Sequence, residues 1–427
     1  MMPIAIATKG KGTLRILERA RIISSRYGFT TAKMERILDR FSSLLHQFDA
    51  AATFTVPASV LARSKGVIEK YQEQGIEFAV HGYYHVDHTQ LSLNKQIYYL
   101  EKACDVFEKR GLVCAGFRSP YLRWNASTIA ALNQIGFTYE GSQALAWDVV
   151  DGLENEPYHR ALNFYGAISA NNYPALPRLE NGLVRIPYCL PDDEALIDRF
   201  HLEGSETMNR LWLAILEKTY AQGELFTLGL HPERILLCEV PLLETLRRAR
   251  ALSPMIWIAR LDEITQWWKE HAEAAVTIAS GEKDDIFVSV QKPAAVTILT
   301  RGVNTTPPGI VWDSRYHQVP VNEFSLRCDL RPFIGVSHSS SPKLTSFLRQ
   351  QGYLVEIAER AHSHTFFLDR SEFHYEDERP LLAEIEQGDF PLVRLGRWPN
   401  GARSALCVTG DIDALTVWDY WLRLLGQ

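Results

Sequence analysis

The sequence predicts an α/β protein whose main part is a distorted (β/α) barrel, with a smaller strand-rich α+β unit attached. Two observations support this fold class. From residue 13 to about residue 272, apolar runs typical of buried strands alternate with segments of helical apolar spacing, as in a parallel sheet covered by helices. After about residue 275, apolar and polar residues alternate with period two between Pro, Gly and Asn, which is typical of strands joined by turns.

The elements of the first region follow from this spacing. Helical periodicity predicts helices over 13–28 and 31–48, and an apolar run predicts a buried strand over 50–56. Asn125 is a suitable N-cap for a helix over 125–136, and Gly111 closes a long helix over 92–111. Further helices are predicted over 61–74, 207–223 and 261–273 and near 240–250, and further strands over 76–80, 112–117, 137–142, 183–189 and 224–230.

Three units result from this division: residues 1–275, 276–395 and 396–427. The second unit contains one predicted helix over 342–352 and strands over 284–290, 294–302, 323–336, 353–359 and 364–369. The third unit has a turn, an apolar strand that ends in two aspartates, and a helix.

Composition limits the class of protein. The 427 residues include 45 basic and 51 acidic side chains with no concentrated basic stripe, so nucleic acid is not an expected partner. We find no apolar run that would span a bilayer and no signal-peptide core, and therefore expect a cytoplasmic protein without membrane contact. The cysteines are scattered without a C-x-x-C motif and are expected to be reduced thiols: Cys104, Cys114, Cys189, Cys238, Cys328 and Cys407.

Residues that could bind a metal or act in catalysis follow three of the predicted strands. His81 and His85 come after the strand over 76–80, Arg118 after the strand over 112–117, and His231 after the strand over 224–230. Side chains at the carboxyl ends of parallel strands meet at one edge of a barrel. Two imidazoles and one carboxylate form a common open site for a divalent metal, and a hydrolase also needs a base and an acid. The first 275 residues provide no clear aspartate pair at a strand end.

The motifs TFTV, HGYYH, GFRSPY and LGLHP resemble, in order and spacing, those of the polysaccharide deacetylases with a NodB homology domain, carbohydrate esterase family 4. The resemblance covers residues 13 to about 272 and implies a distorted (β/α)7-type barrel. It implies that His81 and His85 bind a divalent metal, that Arg118 holds a catalytic aspartate, and that His231 protonates the leaving amine. Zinc is the default metal, although cobalt, nickel and iron also suit such ligands.

The first motif of that family, a strand ending in Asp-Asp or Asp-x-Asp, is missing from the N-terminal region. Residues 397–416, RWPNGARSALCVTGDIDALT, resemble it and contain Asp411-Ile-Asp413. We therefore expect a circular permutation in which the C-terminal unit supplies the first strand of the barrel, because chain ends can be moved in a closed barrel without changing its contacts. By resemblance Asp411 is the general base and Asp413 the third metal ligand, but the two roles could be exchanged, because side chains alternate between the two sides of a strand and a one-residue spacer turns both aspartates to the same side.

Alternatives remain for this C-terminal motif. The aspartates could belong to an ordinary turn that caps a helix, or to the remnant of a second, truncated catalytic unit. The strand could also insert into a neighbouring chain, which would make a homo-oligomer.

Other residues are weaker candidates. Either Asp192 or Asp193 could tune His231, with Asp148 as a further choice, and His88 is expected to be an exposed neighbour of the histidine pair or a fourth ligand. For substrate binding, the backbone N–H of Tyr121 could hold an oxyanion, and Trp147 could stack on a sugar ring.

The predicted function is metal-dependent removal of acyl groups from an amino-sugar-containing glycan or glycoconjugate. The alternatives are a hydrolase of a small amide or cyclic imide in the same superfamily, and a catalytically inactive carbohydrate-binding protein.

Overall fold

The computed structural model describes residues 23, 26–64, 66–202, 204–281, 285–359 and 363–426. Most of the helix predicted over 13–28 lies outside these residues. In the described part of the chain the α-helices are α1 (Ala32–His46), α2 (Ala58–Arg63), α3 (Val67–Gln72), α4 (Leu93–Lys109), α5 (Ala126–Ile135), α6 (Glu156–Tyr165), α7 (Ser205–Gln222), α8 (Ile235–Ala251), α9 (Leu261–Ala272), α10 (Pro342–Gln350), α11 (Glu378–Gln387) and α12 (Val417–Leu424).

The strands follow the same chain order. They are β1 (Ala52–Val56), β2 (Glu77–Val80), β3 (Gly116–Phe117), β4 (Tyr139–Ala146), β5 (Ile168–Ser169), β6 (Arg178–Glu180), β7 (Leu183–Leu190), β8 (Leu225–Gly229), β9 (Ile256–Ile258), β10 (Ala275–Ser280), β11 (Asp285–Lys292), β12 (Ile298–Arg301), β13 (Asn304–Thr306), β14 (Ile310–Val311), β15 (His317–Val319), β16 (Glu323–Arg327), β17 (Arg331–Val336), β18 (Val355–Ile357), β19 (His364–Leu368), β20 (Leu392–Leu395) and β21 (Ser404–Asp411).

Ten of these strands form one curled sheet in the order β6-β7-β4-β3-β2-β1-β21-β8, with β5 beside β4 and β9 beside β21. All its ladders are parallel except the one between β6 and β7. Every residue of β1, β8 and β21 is buried, as expected of strands covered on both faces. The α/β class is therefore confirmed.

The C-terminal strand β21 lies between β1 and β8. Thr55 of β1 is the register partner of Asp411, and Gly229 of β8 is the partner of Thr409. Gly410 allows this close approach, because a Cβ at that position would lie 2.0 Å from the carbonyl oxygen of Leu230. The last strand thus ends beside the ends of β1 and β8.

A side chain bridges the two edges of the curled sheet. The Thr227 hydroxyl on β8 donates to the Pro187 carbonyl on β7 at 2.8 Å and accepts from the Cys189 N–H at 2.9 Å. Pro187 has no backbone N–H that could donate to a neighbouring strand. The Thr227 side chain therefore provides the polar contacts between β7 and β8 at this point.

The segment from β10 to β20 forms three smaller sheets. Their strand orders are β10-β11-β16-β13, β14-β15-β12-β20 and β18-β17-β19. Directly after β20, the buried Trp398 indole donates to the Gly223 carbonyl at 2.9 Å, and the Trp267 indole donates to the Arg397 carbonyl at 2.9 Å. These contacts attach the chain to the large sheet just before β21 begins. The division at residues 275 and 395 stays a prediction.

Three expectations are wrong. The single strand predicted over 323–336 is two strands, β16 and β17, which belong to different sheets. The single helix predicted over 61–74 is two short helices, α2 and α3, and Gly66 precedes the second with a left-handed φ of 79°. Cys104 and Cys114 form a disulfide that ties α4 to the segment leading into β3, so not all six cysteines are thiols. Within the described residues, no helix has both the length and the apolar character to cross a membrane.

Candidate active site

The loop that carries the histidine pair begins where β2 ends. The His81 N–H donates to the Val56 carbonyl at 3.0 Å, and the next residue, Gly82, has a left-handed φ of 76°. A Cβ on Gly82 would lie 2.9 Å from the Tyr84 carbonyl oxygen, so glycine is needed for this turn. Asp87 holds the far side of the loop, because its carboxylate accepts from Arg123 Nε at 2.8 Å.

The orientation of His81 follows from one hydrogen bond. Its Nδ1 lies 2.8 Å from the Arg118 carbonyl oxygen, which can only accept, so Nδ1 carries the proton and Nε2 keeps its lone pair. Burial lowers the pKa of His81, and burial together with Arg423 lowers the pKa of His85 to about 4. Both imidazoles are therefore neutral at physiological pH, which is the form that binds metals.

His81, His85 and Asp413 form the candidate metal centre. Asp413 Oδ1 lies 3.6 Å from His81 Nε2 and 3.1 Å from His85 Nε2. Ligand atoms about 2.0–2.1 Å from a tetrahedral ion stand about 3.4 Å apart, so these distances suit one small ion. Asp413 Oδ1 is buried and has no hydrogen-bond donor within the described residues. The donor set and this uncompensated oxygen fit a divalent metal.

Asp411 lies beside this centre but is held differently. Its Oδ1 accepts from the Thr55 hydroxyl at 2.6 Å and from Arg118 Nη1 at 2.9 Å, while Oδ2 faces His81 Nε2 at 3.7 Å. Burial alone would raise the pKa of Asp411, but the His81 imidazole, once protonated at acidic pH, and the Arg118 guanidinium outweigh burial and lower the pKa to about 2. Asp411 is thus an ionised carboxylate with one oxygen anchored and the other turned to the site.

Arg118 is fixed on all sides. It is 1% exposed and donates to the Gly141 carbonyl at 3.0 Å and to the Thr409 hydroxyl at 2.8 Å, in addition to Asp411. Its guanidinium also lies 4.7 Å from the centroid of the Tyr188 ring. This rigid frame determines where the Asp411 carboxylate points.

His231 follows β8 and is paired with Asp193. The Asp193 carboxylate lies 2.7 Å from His231 Nδ1 and accepts from the His231 backbone N–H at 2.9 Å. Burial opposes the charged imidazolium, but the Asp193 carboxylate outweighs burial and raises the pKa of His231 to about 10. His231 is therefore a protonated acid at neutral pH.

Asp192, Asp193 and His231 are also close enough to form a second metal-binding group. Arg234 Nη1 lies 3.4 Å from Asp193 Oδ2, and the Asp192 carboxylate accepts from the Tyr188 hydroxyl at 3.0 Å and from the Ala195 N–H at 2.9 Å. Since these donors and His231 already satisfy the carboxylates, we interpret the group as a tuned acid and not as a metal centre.

Comparisons with known proteins show what parts of this chain are similar to. Residues 30–140 match the family model described as polysaccharide deacetylase. The peptidoglycan deacetylase-like protein FGM2 of Gibberella zeae is 31% identical over 124 residues, which cover 29% of this chain and 35% of that protein. The chain thus spans about a third of the length of this relative. Residues 30–140 are therefore similar to a polysaccharide deacetylase domain.

Solved structures resemble this chain at lower identity. A structure assigned as a polysaccharide deacetylase from Mycobacterium smegmatis is 21% identical, with a TM-score of 0.40, over 54% of this chain and 76% of its own. Another, from Pseudomonas aeruginosa PAO1, is 18% identical, with a TM-score of 0.44, over 55% of this chain and 73% of its own.

The structure brings together most of the candidate residues. His81, His85, Arg118, His231, Asp411 and Asp413 all stand at the carboxyl ends of β2, β3, β8 and β21. Tyr121 joins them, because its ring centroid lies 4.5 Å from that of His85. Its backbone φ of 61° is unusual for a side-chain-bearing residue and marks a strained turn next to the site.

Trp147 does not join the site. Its side chain is 3% exposed in the main hydrophobic core, and its indole donates to Cys189 Sγ at 3.3 Å. No ring face is free for a sugar, which corrects the expectation that Trp147 binds substrate. His88 is fully buried and is not the exposed residue we expected.

The helix-capping interpretation of the two aspartates is also wrong. Helix α12 begins after Thr416, and Asp419 completes its capping box. Asp411 instead ends β21, and Asp413 lies between the strand and that helix.

Two residues that contact the candidate site were missed by sequence reasoning. Thr55 donates to Asp411, and Arg423 donates to Asp413 Oδ2. A threonine near the end of a buried strand is a weak signal, because β-branched residues are common in strands. An arginine on an amphipathic helix is normally a solvated side chain, so nothing in the local pattern distinguishes Arg423.

Proposed function

We propose that this protein is a metal-dependent hydrolase that removes N-acetyl or other acyl groups from an amino-sugar-containing glycan or glycoconjugate. His81, His85 and Asp413 would hold the metal, for which zinc is the default and cobalt, nickel or iron are alternatives. We also propose that the fold is a circularly permuted (β/α)7-type barrel in which β21 takes the place of the family's first strand. Its position between β1 and β8 supports this proposal.

The chemistry divides among the residues at the strand ends. A divalent metal in such a site supplies Lewis acidity toward an acyl carbonyl and lowers the pKa of water. Asp411, ionised and anchored by Arg118 and Thr55, accepts the proton of the attacking water at Oδ2. The Tyr121 backbone N–H is a candidate donor to the developing oxyanion.

His231 completes the reaction as the general acid. Its Nδ1 is engaged by Asp193, so Nε2 is the atom that delivers a proton to the departing amine. Because Asp193 raises the pKa of His231 to about 10, the imidazolium is protonated when the C–N bond breaks. The products are a carboxylic acid and a free amino group.

The observation that carries the proposal is what the second oxygen of each of two neighbouring carboxylates faces. Each carboxylate has one oxygen bound by an arginine, Asp411 by Arg118 and Asp413 by Arg423. The other oxygen of Asp411 faces one imidazole at 3.7 Å, whereas that of Asp413 faces two, at 3.6 and 3.1 Å, and no donor in the described part of the chain. The first arrangement suits a base and the second suits a metal ligand. This contrast favours Asp411 as the base and Asp413 as the ligand over the exchanged roles.

The first experiment measures metal content and turnover together. The purified full chain is analysed by elemental mass spectrometry and assayed with a chromogenic acetate ester, an N-acetylglucosamine oligomer and a small cyclic imide, before and after chelation and metal return. We expect about one metal per chain and activity on the first two substrates that is lost and regained with it. Bound metal without turnover of any of the three substrates would favour the carbohydrate-binding alternative. Hydrolysis confined to a small cyclic imide would favour the other enzyme class.

A further inference from the structure

Arg423 occupies a position that the proposed chemistry does not explain. It lies on α12, and its guanidinium donates from Nη1 to Asp413 Oδ2, while Nη2 lies 3.1 Å from His85 Nε2. We infer that Arg423 competes with the metal for these two ligands and thereby weakens metal binding. This inference rests on the proposed function, because it assumes that His85 and Asp413 are metal ligands.

The competition is sharpest at His85. A guanidinium has only donors, so the contact with Arg423 uses the lone pair of His85 Nε2. The same atom faces Asp413 Oδ1 at 3.1 Å and belongs to the candidate metal centre. One lone pair cannot serve a guanidinium and a metal at once, so metal binding requires that Arg423 release His85.

Charge acts in the same direction. Arginine stays protonated in proteins, and its charge lies against two ligands of a cation. The repulsion between two such cations is strong because water is largely excluded: the side chains of Arg423 and Asp413 are 17% and 12% exposed. Arg423 also neutralises part of the Asp413 carboxylate, which is the only negative group among the three ligands.

One effect of Arg423 opposes this conclusion, because its bond to Oδ2 also orients Asp413. The backbone beside Asp413 has a restraint of its own, since the neighbouring Ile412 N–H donates to the Thr55 carbonyl at 2.8 Å. Removing Arg423 therefore frees two ligands and removes a cation without releasing the segment that carries Asp413. The net effect is tighter metal binding.

The guanidinium is itself held in place. Its central carbon lies 5.9 Å from the centroid of the Tyr121 ring and 5.7 Å from that of Tyr420. Helix α12 is anchored by Asp419, which accepts from Arg63 Nε at 2.9 Å. The side chain of Arg423 is thus held beside His85 and Asp413, where it competes with the metal, and is not a mobile surface side chain.

The test compares zinc dissociation constants of the wild type, Arg423→Met and Arg423→Lys by competition with a chromophoric chelator. Arg423→Met should bind zinc more tightly, on the order of 10- to 100-fold, the range that outer contacts of a metal site usually control. Arg423→Lys keeps the charge and should stay closer to the wild type. Arg63→Met is the matched control, because it loosens the same helix without touching either histidine, and its dissociation constant should not change.

Thermal unfolding provides a readout independent of activity. Without zinc, Arg423→Met should melt at a lower temperature than the wild type, because Asp413 loses its cation. With zinc, its gain in melting temperature should exceed that of the wild type. The competition is refuted if Arg423→Met binds zinc with the same dissociation constant as the wild type, or more weakly. Either result would leave the proposed metal centre intact. If no protein in the series binds zinc, cobalt, nickel or iron, the metal centre and this inference are both refuted.

Discussion

Replacing Asp411 by asparagine tests the assignment of the general base. The asparagine carbonyl can accept the same hydrogen bonds from Thr55 and Arg118 that Oδ1 accepts now, at 2.6 and 2.9 Å. The amide nitrogen would then take the place of Oδ2, which faces His81 Nε2 at 3.7 Å, and an amide nitrogen cannot accept a proton. Asp411→Asn should therefore fold and keep the metal but lose the base.

The magnitude follows from what is removed. A positioned general base contributes about 10²- to 10⁴-fold in rate, or about 3–5 kcal/mol of activation free energy. The fold should lose less, about 1–3 kcal/mol, because Arg118 keeps a neutral acceptor although it loses the charged one. We expect kcat to fall by at least about a hundredfold, with metal content near that of the wild type.

The assay measures initial rates on an N-acetylglucosamine oligomer, metal content by elemental mass spectrometry, and unfolding by urea on the same preparation. Asp413→Ala is the companion variant and should lose the metal as well as activity. The reasoning is refuted if Asp411→Asn retains turnover within about tenfold of the wild type. If Asp411→Asn loses the metal while Asp413→Ala keeps it, the two aspartates exchange roles.

Two further predictions concern His231 and β21. Asp193→Asn removes the carboxylate that raises the pKa of His231 to about 10. Because the acid acts only when protonated, activity falls as pH rises through that pKa, and the basic limb of the kcat/KM profile should therefore move to lower pH in Asp193→Asn. Asp192→Asn is the control and should move the basic limb far less. Equal shifts in the two variants would contradict the pairing of Asp193 with His231. Gly410→Ala would place a Cβ 2.0 Å from the Leu230 carbonyl oxygen and should lower the free energy of unfolding by about 1–3 kcal/mol. Gly204→Ala, with no atom within 4 Å of the added Cβ, is the neutral control in urea titrations. A free energy of unfolding that does not fall in Gly410→Ala would argue against the packing of β21 on β8.

Much of the site could be predicted because the carboxyl ends of parallel strands lie at the same edge of a sheet. Apolar runs that stop at His81, Arg118 and His231 identify strand ends, and strand ends of one parallel sheet converge. The missing acidic groups were found by resemblance, since the strand that ends at Asp411 has the pattern of a first barrel strand. Its insertion beside β1 could not be derived from periodicity, which describes an element but not its neighbours in the sheet.

Other features depend on tertiary geometry alone. Asp192 and Asp193 are adjacent in sequence, and only the turn after β7 makes Asp193 the partner of His231. The burial of Trp147 and the bond between Cys104 and Cys114 depend on which elements pack together. The cytoplasmic location and a homo-oligomeric state stay predictions.

The position of β21 also has a consequence for folding. Thr55 and Asp411 are 356 residues apart, and Arg118 and Asp411 are 293 apart, so the acidic pair meets the imidazoles only after a very long loop has closed. Contacts between residues so far apart in sequence form slowly, because the chain loses the entropy of closing the loop before the contact stabilises the fold. The strands from β10 to β20 lie within that loop. Lesions there would therefore be expected to hinder the pairing of β21 with β1 and, with it, the assembly of the proposed metal centre.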